Sequence, residues 1–138
     1  MPRALPAGDA VLVRTDFSDD AAWRAIAAAA TRANAEGFAA GVQLVDDAAW
    51  AGATAQDVRE AHTKGDERAV AFLVDATTVA APDRPILCVS LEGKKLKTLR
   101  VVPGSLASVE NNLSIGNLDW RDFARSLDAG GVFRGFPA

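Results

Sequence analysis

Hydrophobic positions in the first half of the chain alternate between short unbroken runs and helical stripes. Residues 10–15 (Ala-Val-Leu-Val-Arg-Thr) form a nearly continuous apolar run, which predicts a strand covered on both faces. Asp16-Phe17-Ser18-Asp19-Asp20 then reads as a helix start, with Ser18 as N-cap and two aspartates favouring the first turn. Trp23, Ile26, Ala27 and Ala30 recur at i, i+3, i+4 and i+7, and the predicted helix stops near Glu36 with Gly37 past its end. Val42-Gln43-Leu44-Val45 is the second predicted strand, followed by Asp46-Asp47. A short helix over 55–64 capped by Thr54 and a third strand from Ala69 to Val74, ending at Asp75, complete the series. Strands separated by helices at this spacing predict parallel crossovers and the spatial order 2-1-3.

The second half changes rhythm. Strands over 86–91 and 97–102 are separated only by Glu92-Gly93-Lys94-Lys95-Leu96, too short for a parallel crossover, so an antiparallel hairpin is predicted. Leu106, Val109 and Leu113 outline a third helical face, and Trp120, Phe123, Ala124 and Leu127 a fourth, capped by Asn117 or Asp119. Residues 131–138 remain as a tail whose two phenylalanines predict docking. The expectation is a single three-layer α/β domain over 1–138. Its sheet is mainly parallel, completed by the hairpin, with about four helices and a free edge on the fifth strand.

Composition narrows the chemistry. The chain has 138 residues, one Cys, one His and a net charge of −3. Alanine inflates the apolar fraction, but Val, Leu, Ile and Phe still make up about a quarter of the chain, above the range of disordered sequences. Residues 1–79 hold 7 basic and 12 acidic side chains and residues 80–138 hold 8 and 6, so nothing resembles the basic footprint of a nucleic-acid binder. No apolar run approaches a membrane span, and Met-Pro-Arg-Ala-Leu-Pro lacks a signal-peptide core, so a cytoplasmic location is expected. A lone cysteine excludes an internal disulfide and a cysteine-rich zinc site, and Cys88, within a predicted strand, reads as a small core residue. His62 precedes Lys64-Gly65, the basic last turn of a helix, and no serine has the spacing of a catalytic triad with it. Glycine-rich phosphate loops are absent from the sequence.

Three motifs resemble an uncharacterised domain family common in actinobacteria. They are Leu12-Val-Arg-Thr-Asp-Phe-Ser-Asp-Asp-Ala-Ala-Trp23, Val109-Glu-Asn-Asn-Leu-Ser-Ile115 with Asn117-Leu-Asp119, and Gly131-Val-Phe-Arg-Gly-Phe136. The resemblance spans nearly the whole chain and implies no known activity.

Two constellations could carry function. Asp16, Asp46, Asp47 and Asp75 each follow a predicted parallel strand at its carboxyl end, where open α/β sheets bind ligands. Converging there, they could hold Mg²⁺ or a phosphate ligand, in a picture resembling a receiver domain, although the short 92–96 connector leaves no room for that fold's fourth helix. The competing reading is that they cap helices and turns. The second constellation is Glu110, Asn111, Asn112 and Asn117, which either contact a partner, with Arg14 or Arg100 supplying charge, or form a helix–turn–helix joint. The leading expectation is a non-enzymatic module that binds an unidentified protein partner, of inhibitory or immunity-like type, without cofactor. The alternative is the small-ligand or Mg²⁺/phosphate site at the strand ends. A homodimer through the free edge of the fifth strand is a third expectation.

Overall fold

The computed structural model describes residues 4–62 and 68–136. Six strands form one mixed sheet: β1 (Ala10–Arg14), β2 (Val42–Val45), β3 (Val70–Val74), β4 (Ile86–Ser90), β5 (Thr98–Val101) and β6 (Val132–Phe133). Their spatial order is β2-β1-β3-β4-β5-β6. β1 pairs parallel with β2 and β3, β3–β4–β5 are antiparallel, and β5–β6 is parallel. The α/β class, the order 2-1-3 and the antiparallel hairpin therefore stand as expected.

The helices are α1 (Asp20–Thr31), α2 (Ala55–Ala61), α3 (Ala76–Ala80), α4 (Leu106–Ser114) and α5 (Trp120–Ala124). Strand alternation sends neighbouring residues to two separate cores. Leu12, Phe72 and Val74 meet Trp23 and Ile26 of α1, Val109 of α4 and Phe123 of α5. Val11, Val13, Ala71 and Leu73 meet Val58 of α2 and Trp50 on the opposite face. Helices on both faces make three layers, and this is why β1 and β3 are buried at every position.

Local chemistry shifts several predicted boundaries. Asp19, not Ser18, caps α1, accepting the Ala22 amide, while Ser18 is drawn onto Asp16. The helix ends at Thr31 rather than near Glu36. Asn34 builds a turn of its own there, its side chain accepting the amides of Glu36 and Phe38. Thr54 caps α2 as expected, through a reciprocal bond with Asp57; residues 63 and 64 of that predicted helix lie outside the described residues. α3 is an additional helix, capped by Asp75 and Thr78.

The expected free edge on the fifth strand is corrected. β6 lies along β5, pairing Arg100 with Val132 and Val101 with Phe133. It is held there by Phe133, which meets Phe123 edge-on with ring centroids 5.1 Å apart, and by Phe136 packed 5.3 Å from Phe123. The outer strands of the sheet are β2 and the two-residue β6.

Candidate functional site

In a sheet ordered 2-1-3, the winding reverses between β1 and β3, and the carboxyl ends of those strands flank the position where such folds take ligands. Here the ends of the two strands are tied together through one carbonyl. The Val74 carbonyl accepts the Thr15 amide at 2.9 Å, the Thr15 hydroxyl at 3.1 Å and the Asp16 amide at 3.2 Å.

Around it, each predicted aspartate has a local task. Asp16 accepts the Ser18 hydroxyl at 2.5 Å and its amide at 2.8 Å, and these two bonds hold its carboxyl below the ordinary value. Asp46 accepts from Arg14 at 3.3 Å. Asp47 accepts the Ala49 amide and starts the short 3-10 turn Ala48–Trp50. Asp75 forms two parallel 2.8 Å bonds with Arg100 and also accepts the Thr78 amide and hydroxyl, capping α3. Burial pushes the Asp75 carboxyl up, but Arg100 and Thr78 outweigh it, and the net displacement is downward.

Arg14 anchors the other half of the site. Its side chain is only 5% exposed, and it bridges Asp20 at 2.5 Å, Asp46 at 3.3 Å and the Asp16 carbonyl at 3.2 Å. Its guanidinium also lies 4.4 Å from the Phe17 ring centroid and 5.7 Å from that of Trp23, within cation–π range. Burial disfavours its charge, yet the paired aspartates more than restore it. Arg14 and Arg100 thus serve the strand-end aspartates, not the 110–117 segment. Among the described residues, no three Asp, Glu, His or Cys side chains are grouped so as to hold a metal ion.

The 110–117 segment divides into a clasp and a joint. Glu110, 7% exposed within α4, accepts the Gly41 amide on one carboxylate oxygen and the Ser114 hydroxyl at 2.5 Å on the other. Asn111 donates to the Ala39 carbonyl at 3.1 Å. These two residues fasten the segment that leads into β2. Asn112 and Asn117 close the α4–α5 turn: the Asn117 side chain donates to Asn112 at 2.8 Å, and the Asn112 carbonyl accepts the amides of Asn117 and Leu118.

The surface that the sequence reading passed over is β2 itself. Leu44 is 51% exposed and Phe38, shortly before the strand, 58%. The backbone carrying them is fixed. The Phe38 amide donates to the Asn34 side chain and its carbonyl accepts the Asn34 amide. Gly41 is held by Glu110, and Gln43 donates to the carbonyls of Ala7 and Asp9. Residues 37–45, Gly-Phe-Ala-Ala-Gly-Val-Gln-Leu-Val, include no charged residue. That absence of charge was a readable signal.

A polar groove of about 600 Å³ opens at the opposite end of the sheet from Asp75, lined in part by Arg68, Glu92, Ser114 and Ile115. The Ser114 hydroxyl there is committed to Glu110.

No helix among the described residues is long and apolar enough to cross a membrane. A family model described as a domain of unknown function (DUF6924) matches residues 9–136, and the chain belongs to that family. No curated protein matches it.

Proposed function

We propose that this DUF6924 domain is a non-catalytic protein-binding module whose recognition element is the outer edge of β2. One observation carries the reading: an uncharged edge strand presents Leu44, preceded by the exposed Phe38, on a backbone anchored at Asn34, Glu110 and Gln43. Exposed sheet edges are normally protected by charge, proline, a bulge or brevity, because their free amides and carbonyls template another strand. β2 has neither charge nor proline. The opposite edge is protected: β6 spans two residues and is followed by Arg134, ion-paired to Asp83 and Asp128. An extended segment adding to β2 gains main-chain hydrogen bonds, and Leu44 offers side-chain contact. A rigid apolar surface also loses little conformational freedom on binding.

The strand-end aspartates fit this reading better than a Mg²⁺ or phosphate site, since their oxygens are taken up by arginines, a serine hydroxyl and helix caps.

A photo-cross-linking residue installed at position 44, with one at exposed position 125 as control, tests the proposal in host cells. Cross-links to one defined protein from position 44 alone support it. No adduct from position 44, or the same adducts from both positions, overturns it.

A further inference from the structure

We infer that the hairpin joining β4 to β5 is a second contact surface, which takes an acidic segment of a protein partner along the polar groove beside it. The observations behind it are independent of β2.

The chain has four lysines, and three of them, Lys94, Lys95 and Lys97, fall within residues 94–97. Residues 92–97 thus hold one acidic and three basic side chains, in a chain whose net charge is −3. All three lysines are exposed. Among the described residues none of them has an ion pair or a side-chain hydrogen bond, whereas Arg14, Arg100 and Arg134 are each held by aspartates. The charges stand on a fixed base. Arg59 of α2 donates to the carbonyls of Ser90 at 2.7 Å, of Glu92 at 3.4 Å and of Gly93, and the Ser90 hydroxyl donates to the Glu92 carbonyl at 3.2 Å. A loop held in this way loses little conformational freedom when a partner is seated on it.

The groove of about 600 Å³ is lined by Leu91, Glu92 and Gly93 from the hairpin and by Ile115 and Gly116 from the end of α4. The two sides differ in chemistry. Ile115 is 76% exposed, and the carboxyl end of α4 is the negative end of a helix dipole, which disfavours an anion. Leu96, 41% exposed, adds apolar surface among the lysines. The segment that fits turns carboxylates toward the lysines and aliphatic side chains toward Ile115 and Leu96. Polyanions fit less well. Three lysines fall short of the about four to eight basic residues that hold an anionic membrane, and the acidic net charge opposes a nucleic-acid backbone. Glu92, inside the hairpin, opposes both.

Titration of the full chain with a short synthetic peptide of glutamates interspersed with leucines, followed by amide chemical shifts, tests the inference. The glutamine counterpart of the peptide, phosphatidylserine vesicles and a DNA duplex serve as comparison probes. The variants are the triple Lys94→Gln, Lys95→Gln, Lys97→Gln, with Ile115→Ser for the apolar side and Arg125→Gln as control, each confirmed as folded by far-UV circular dichroism. The expected result is saturable shifts confined to residues 91–97 and 113–116 with the glutamate peptide. Three exposed ion pairs make its affinity roughly three- to a hundredfold higher than that of the glutamine peptide, and the triple variant loses the same factor. Ile115→Ser should weaken binding of the glutamate peptide, and Arg125→Gln should leave it unchanged. No saturation at millimolar peptide, equal affinity for the two peptides, or a triple variant that binds as the wild type does overturns the inference. Tighter binding of the vesicles or the duplex at the same lysines overturns it as well.

Discussion

Replacing Asp75 by Asn separates a structural carboxylate from one kept for a ligand. The side chain accepts two 2.8 Å bonds from Arg100 and caps α3 through the Thr78 amide at 3.1 Å. Asn keeps one oxygen for the cap but turns an amide toward an Arg100 donor and removes the charge. Hydrogen bonds to charged groups contribute about 1.5–3 kcal/mol. The side chains of Asp75 and Arg100 are 24% and 22% exposed, so solvent screening brings the expected loss to roughly 1–2 kcal/mol. For a chain of this length that lowers the melting temperature by about 4–8 °C. Urea denaturation gives the free energy, and a cycle with Arg100→Gln isolates the pair: the double variant should cost little more than either single one. The pH dependence has a definite sign. Because the folded carboxyl sits below its ordinary value, the pair's contribution is complete above the unfolded pKa, about 3.9, and is lost as pH falls through the lower folded value. The gap between wild type and Asp75→Asn should therefore close below about pH 4. A variant as stable as the wild type, or more so, would refute the reasoning and mark Asp75 as a carboxylate held at a cost to the fold for a ligand.

Other substitutions probe the remaining parts. Glu110→Ala should lose about 1–3 kcal/mol by urea denaturation and speed amide exchange in residues 39–41, since the Gly41 amide loses its acceptor, while Glu110→Gln should lose less. Phe133→Ala should cost about 3–5 kcal/mol, as the fully buried ring holds β6 against α5, and calorimetry should register a correspondingly lower melting temperature. Burial raises the Cys88 thiol well above its ordinary value, so a thiol reagent such as dithionitrobenzoate should label it only after denaturation.

The strands were legible where burial on both faces left an unbroken apolar run, as in β1 and β3, and the hairpin followed from the length of its connector. β6 was not legible, because two residues have no periodicity and its place depends on aromatic contacts with α5. α3 is only five residues long, yet Asp75 followed three positions later by Thr78 was an available capping signal. The strand-end positions of Asp16, Asp46 and Asp75 could be read from the pattern. The pairing of Asp46 with Arg14 and of Asp75 with Arg100 could not, because it brings together residues 32 and 25 positions apart that only the sheet makes neighbours. The clasp made by Glu110 was not legible for the same reason: its partner Gly41 is 69 positions away.

The reading of β2 as a recognition edge is tested most directly in host cells, by comparing the adducts of a photo-reactive residue at position 44 with those of one at position 125. The account predicts adducts with one defined protein from position 44 alone. No adduct from position 44, or the same adducts from both positions, would contradict it.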